Sequence, residues 1–236
     1  MINLVKNELI KVKISKIIFS EVFYILIFLI LIKFGTKSIF ELSFNLLPIV
    51  EICTCLIFGG IFSSEISSGT FRFYLTKPAS RLRIYASKTL VLMGYSYISV
   101  LILIIFSWIF SSKIDLFYAS KYFSYSIPVF LINSQLLYFS SKIRGKSFTI
   151  CFMTLLISFS LLATQLLLEI DLKFITYTFL PYLDFSIFDD NRSLALFNKT
   201  YGIYLNIRSG VFIDTIYTII FLIMGLISFT KKDIKN

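Results

Sequence analysis

EISSGTFRFYLTKPASRLRIYASK occupies residues 65–88 and lies between two long apolar segments. A Lys or Arg at the centre of a bilayer costs roughly 2.5–3.5 kcal/mol on insertion scales, so this stretch has to leave the hydrocarbon. Basic loops stay on the cytoplasmic side of a membrane. The stretch therefore predicts a cytoplasmic loop between two membrane spans. Its one acid is Glu65, and its cations are Arg72, Lys77, Arg81, Arg83 and Lys88.

The middle of this loop has the pattern of a short helix. The side chains of Ser68 and Thr70 can accept bonds from the first free N–H groups of a helix. Phe71, Phe73 and Leu75 then supply an apolar face. Pro78 ends the helix, because proline has no N–H to donate and disfavours helical angles in the residue before it. The loop thus predicts a short, basic, amphipathic helix that can bind a cytoplasmic partner.

The composition excludes a soluble domain. Hydrophobic residues make up 57% of the 236 residues and charged residues only 15%, which indicates an all-α integral membrane protein. The net charge of +10 requires no nucleic-acid partner, because the basic residues are distributed by membrane side. With no histidine and three cysteines without paired spacing, we expect no histidine-based catalysis, no metal site and no disulfide framework.

Hydropathy and span length define nine parts of the single domain, 1–236. Residues 1–16 form a basic amphipathic helix in the membrane interface, because Leu4, Val5 and Leu9 recur at helical spacing. Residues 65–88 are the cytoplasmic loop. The long loop 169–210 is extracellular and contains short helices interrupted by Pro181. Six spans are predicted, at 17–32, 44–64, 89–110, 124–140, 148–168 and 211–229.

The distribution of charge predicts the orientation. About two thirds of the 23 Lys and Arg residues fall on the side that holds both termini and the loop 65–88, so this side is cytoplasmic. The abundance of Lys, Ile, Phe and Asn is typical of an AT-rich bacterial genome. We therefore expect a multi-pass protein of the bacterial plasma membrane with both termini in the cytoplasm.

The loop 65–88 resembles the loop after the second span of type-2 ABC transporter permeases. The likeness comprises an acidic residue, a Gly-Thr pair, a leucine three residues before a proline, a Ser-Arg pair and a lysine entering the third span. It implies a coupling helix that docks on a separately encoded ATPase subunit. The residues implied in this coupling are Glu65, Ser68, Gly69, Thr70, Phe71, Arg72, Phe73, Leu75, Pro78, Arg81 and Lys88.

The resemblance also implies a function. The chain would be the permease subunit of an ATP-driven exporter and would work with a second permease chain, identical or sibling. The cargo would be amphipathic or hydrophobic, and an antimicrobial peptide exported for immunity or resistance is one such cargo. The sequence has no GxxxxGK[ST] loop, so we expect no ATPase site and no bound cofactor in this chain. ATP and magnesium would sit on the partner.

Polar residues inside the predicted spans are candidates for the substrate pathway, since burying them in lipid is costly. Each has two interpretations. It either lines an outward cavity that meets a polar part of the cargo, or it bonds to neighbouring helices and reaches interfacial water. Pro48, one turn before Glu51, favours Glu51 slightly because a proline can free carbonyl groups at that depth. The candidates are Glu51, Asp214, Asn133, Gln135 and Gln165.

A different class of protein is the alternative, namely a non-transporting membrane scaffold or a membrane-embedded enzyme. An enzyme needs polar residues clustered at one depth, whereas the acids Glu21, Glu51 and Asp214 are spread over three predicted spans. A scaffold does not need the pattern from Gly69 to Lys88. The sequence leaves the identity of the cargo open.

Overall fold

The computed structural model describes residues 2–12, 14–34, 39–67, 81–111, 116–143, 145–183, 188 and 191–231. These residues form α-helices and two 3₁₀ turns, Lys173–Tyr177 and Leu180–Tyr182, and contain no strand. The α-helices are α1 (Ile2–Lys11), α2 (Ile14–Phe34), α3 (Ile39–Phe44), α4 (Leu47–Phe58), α5 (Ser63–Ser67), α6 (Arg81–Ser111), α7 (Leu116–Lys142), α8 (Lys146–Glu169), α9 (Asn191–Tyr201) and α10 (Ile207–Thr230).

Four helical segments of the described chain are long and apolar enough to cross a membrane. They are Ile14–Phe34, Leu42–Ile66, Arg81–Ser111 and Ile207–Thr230. A fifth is obtained if α8, which bends by 62° between Ser160 and Leu162, counts as one span. The prediction of an all-α membrane protein is therefore confirmed, while the six-span count stays a prediction.

The predicted fourth span, 124–140, lies within α7, which is not among those four or five segments. The reason is its environment. Val129, Ile132 and Leu136 of α7 are at most 1% exposed and pack in the two hydrophobic clusters of the core. A helix surrounded by other helices does not need an apolar outer face, so α7 also carries buried polar residues such as Ser126 and Asn133.

The second span is interrupted in two places. Turns separate α3 from α4 and α4 from α5. Pro48 lies in the first turn of α4, where its missing N–H needs no partner. At the second interruption, a Cβ atom on Gly59 would lie 2.3 Å from Ile150, so this glycine permits a close intrachain approach to α8.

Helix boundaries differ from the predicted ones at the N-terminal end. The predicted helix 1–16 ends at Lys11, and α2 begins at Ile14. The helix that contains the predicted third span, α6, begins at Arg81, and the span bounds 89–110 stay a prediction. The segment 169–210 contains the two 3₁₀ turns and α9. The predicted coupling residues Ser68, Gly69, Thr70, Phe71, Arg72, Phe73, Leu75 and Pro78 lie outside the described residues.

Candidate functional site

The two ends of the basic loop meet at a cluster of four charged side chains. Glu65, the first residue of the loop 65–88, stands in the short helix α5, and Lys88, the last residue, lies two turns inside α6. Glu8 and Lys11 come from α1 and are one helical turn apart. Such a spacing places both side chains on one face of α1. We call these four residues the charge cluster.

The charge cluster is a closed ring in which cations and anions alternate. Lys88 Nζ donates to Glu8 Oε2 at 2.7 Å and lies 3.0 Å from Glu65 Oε2. Lys11 Nζ donates to Glu8 Oε1 at 2.7 Å and to Glu65 Oε1 at 2.8 Å. Lys88 also donates to the carbonyl of Ile61 at 2.9 Å, so its ammonium group makes two hydrogen bonds and one further ion-pair contact. The ring ties α1, α5 and α6 together.

The charge cluster is largely withdrawn from water. The side chain of Lys88 is 1% exposed, those of Glu8 and Glu65 are 8% and 11% exposed, and only Lys11 faces solvent substantially. Two cations and two anions give no net charge, which allows burial of a group that would be very costly alone. The geometry fits a structural clamp, with no side chain left over for acid–base chemistry.

Ion pairing shifts two pKa values in the ring. Burial alone would raise the pKa of Glu8, but the charge of Lys88 and the hydrogen bonds from both lysines lower it below the usual value for glutamate. Burial alone would lower the pKa of Lys11, but the hydrogen bonds to Glu65 and Glu8 raise it above the usual value for lysine. Both shifts favour the charged forms that make the ring.

These shifts predict how stability depends on pH. The contribution of Glu8 is complete above the ordinary glutamate pKa of about 4.3 and is lost as the pH falls through its lowered pKa. That of Lys11 is complete below about 10.4 and is lost as the pH rises through its raised pKa. We expect a melting temperature in detergent that is flat from about pH 5 to about pH 10 and falls below about pH 4. Glu8→Gln should have a smaller acid fall, and an unchanged acid fall in this variant would contradict the assignment.

Sequence reasoning missed the part played by α1. The assignment of Glu65, Arg81 and Lys88 to contacts with an ATPase partner stays a prediction. Within the chain, Glu65 and Lys88 belong to the charge cluster. Arg81 donates to the carbonyl of Thr230 at the end of α10. The only sequence signal for the cluster was the Glu8 and Lys11 pair on an otherwise basic helix.

Further along the bundle, hydrogen bonds between polar side chains join α2 and α6. The hydroxyl of Tyr95 lies 2.8 Å from that of Ser20 and 2.9 Å from that of Tyr24. Ser99 donates to Glu21 Oε1 at 2.6 Å. In the low-polarity interior, such bonds fix the position of one helix against the next.

The five pathway candidates have different surroundings. Glu51 on α4 is 2% exposed, Gln165 on α8 is half-buried, and Asn133 donates to Ser96 Oγ at 2.7 Å. Asp214 on α10 is fully buried, and in the described part of the chain neither carboxylate oxygen has a hydrogen-bond partner. The same holds for the amide of Gln135 on α7. The candidates thus lie on four helices, and only Asp214 and Gln135 combine full burial with a side chain unpartnered among described residues.

This difference yields a prediction. Asp214→Leu should raise the free energy of unfolding by about 1–3 kcal/mol, because it removes a buried polar group that has no partner among the described residues. Asn133→Leu, on the same scale, should lower it by about 0.5–1.5 kcal/mol, because it breaks the bond to Ser96. Thermal melting of both variants in one detergent checks the opposite signs, and two destabilised variants would show that Asp214 is bonded.

The fold and the charge cluster define a class: an all-α membrane protein whose N-terminal helix is clamped to the ends of the loop between its second and third apolar segments. The chain belongs to the family described as "Protein of unknown function (DUF2705)", whose profile matches residues 34–235. No curated protein matches the chain significantly. The matched range includes Glu65 and Lys88 but excludes α1.

Proposed function

We propose that the chain is the membrane subunit of a type-2 ABC exporter. Two permease chains would span the bacterial plasma membrane with their termini in the cytoplasm and would work with two ATPase subunits. ATP and magnesium would be held by those subunits. The proposed cargo is amphipathic or hydrophobic, and an antimicrobial peptide exported for immunity or resistance fits this description.

The contact between Glu65 and Lys88 is the observation that supports this proposal most directly. Their side chains are 3.0 Å apart and close the base of the basic loop. A loop that carries force from a partner needs ends that do not slide apart. The ring to Glu8 and Lys11 supplies this constraint and adds α1 to the same rigid unit. We therefore assign Glu65 and Lys88 to holding the loop, and Arg72 and Phe73 to contacting the ATPase subunit.

The proposed mechanism is mechanical. Closure of the ATPase dimer displaces the helix around residues 68–76, and the clamped base passes the displacement to α6. Asn133 on α7 is bonded to Ser96 on α6, so α7 follows α6. Asp214 on α10 and Gln135 on α7 are the proposed pathway residues, with Glu51 and Gln165 as further candidates. A buried polar group that has no described partner is free to bond to cargo.

The test is purification of the tagged full-length chain from its own host in mild detergent and in lipid nanodiscs. We expect an ATP-hydrolysing subunit to co-purify in about equal amounts, as the permease architecture requires. The hydrolysis rate of the complex should respond to changes in the loop 65–88. A chain that purifies in both media without any ATP-hydrolysing subunit would favour the scaffold or membrane enzyme instead.

A further inference from the structure

We propose that the chain binds one anionic phospholipid beside the charge cluster. The headgroup would occupy a polar pocket among α1, α5 and α8, and an acyl chain would occupy the adjoining apolar cleft between α2 and α4. This inference does not depend on the proposed transport function, because it concerns cavities within the chain itself.

The polar pocket has a volume of about 210 Å³ and is lined by both acids of the charge cluster and by three lysines, Lys11, Lys16 and Lys146. Glu8 and Glu65 are already matched by Lys11 and Lys88. Among the described residues, Lys16 and Lys146 have no ion-pair partner. The pocket therefore carries surplus positive charge, which suits the phosphate of a lipid headgroup.

The apolar cleft has a volume of about 420 Å³, within the range of about 300–1,000 Å³ that is typical of ligand sites. Its walls include Phe19, Phe23 and Leu56. Lys16 and Ile57 line both the cleft and the polar pocket, so the two cavities adjoin. An occupant of both needs an anionic end and an apolar end.

The position of the cleft favours a lipid over a peptide or a second copy of the chain. Only 17% of the most apolar 18-residue stretch of α2 is buried within the protein, and Phe19 is 73% exposed. A spanning helix with such an exposed apolar face meets the hydrocarbon of the bilayer. In a bilayer, acyl chains would border the open side of the cleft, and the charge of Lys16 at the start of α2 would place it at the level of the headgroups. Free phosphate fits only the polar pocket and leaves the cleft empty.

The test is native mass spectrometry of the full-length chain in detergent with equal amounts of phosphatidylglycerol and phosphatidylcholine. We expect one phosphatidylglycerol to be retained per chain, at about tenfold or greater preference over phosphatidylcholine. Lys16→Gln with Lys146→Gln should reduce this retention about tenfold or more. Lys6→Gln with Lys231→Gln removes the same charge from positions outside the pocket and should leave retention within about twofold of the unaltered chain.

A third variant separates a bound lipid from free phosphate. Leu56→Trp fills the cleft without changing charge and should abolish phospholipid retention, with thermal melting confirming the fold. Equal retention of both lipids, unchanged retention in the Lys16 and Lys146 variant, or displacement of the lipid by inorganic phosphate would overturn the assignment. A shift of the monomer–dimer ratio in the Leu56→Trp variant, with phospholipid retention unchanged, would identify a second copy of the chain as the occupant of the cleft. This result would also overturn the lipid assignment.

Discussion

Lys88→Met is expected to lower the free energy of unfolding by about 3–5 kcal/mol. The change leaves Glu8 and Glu65 facing one another with Lys11 as the single cation of the ring. Removal of one partner from a buried ion pair is much more costly than removal of both, because the remaining charge has lost its water without compensation. Thermal melting in detergent, followed by size-exclusion chromatography, measures this loss.

A double variant provides the control for this prediction. Glu65→Gln with Lys88→Met removes one cation and one anion and leaves Glu8 paired with Lys11. Replacement of a buried ion pair by neutral side chains of similar volume is often close to neutral. The double variant should therefore recover most of the loss. If it is as unstable as Lys88→Met alone, lost packing rather than uncompensated charge explains the defect.

Arg72→Glu with Phe73→Glu is expected to have the largest effect on coupling. The two changes replace a cation and an aromatic ring of the basic loop by acids. Against an acidic ATPase surface, which a basic loop is proposed to contact, the like charges would cost several kcal/mol. Each 1.4 kcal/mol is a factor of about ten in affinity, so co-purification with the ATPase subunit should fall by about a hundredfold. The melting temperature of the isolated chain should remain unchanged, since neither residue belongs to the charge cluster.

The measurement is the yield of ATPase subunit and the hydrolysis rate per permease chain. Lys6→Glu with Ile2→Glu, on exposed positions of α1, is the matched control, because it adds the same acids outside the loop 65–88. An unchanged yield of ATPase subunit and an unchanged hydrolysis rate in the loop variant would show that the loop does not contact the ATPase subunit. An equal loss in the control would show that general charge, rather than the loop, governs the association.

The sequence predicted the helical membrane character because that character depends on local composition. The apolar segments and the basic loop are each visible in a few consecutive residues. The charge cluster was not predictable in the same way. Glu8, Glu65 and Lys88 are far apart in the chain, and no local pattern states which face of α1 turns towards α6.

Two differences between the helices and the hydropathy pattern both reflect contacts with neighbouring helices. The third span was predicted to begin after Lys88, because a lysine is costly in hydrocarbon. In the structure Lys88 lies inside α6, where Glu8 and Glu65 neutralise it. The fourth predicted span was the least apolar, because α7 is covered by protein. Hydropathy alone cannot distinguish a helix shielded by its neighbours from one that lies outside the bilayer.

The continuity of α6 distinguishes it from the interrupted second span. Its 31 residues extend for about 46 Å, and about 35 Å of this length lies beyond Lys88. If the clamped lysine is a fulcrum, a tilt of about 10° moves the far end of α6 by about 6 Å. The three short helices before the loop have two joints and cannot act as a comparable lever. The stiff arm of this molecule is therefore the helix that follows the loop.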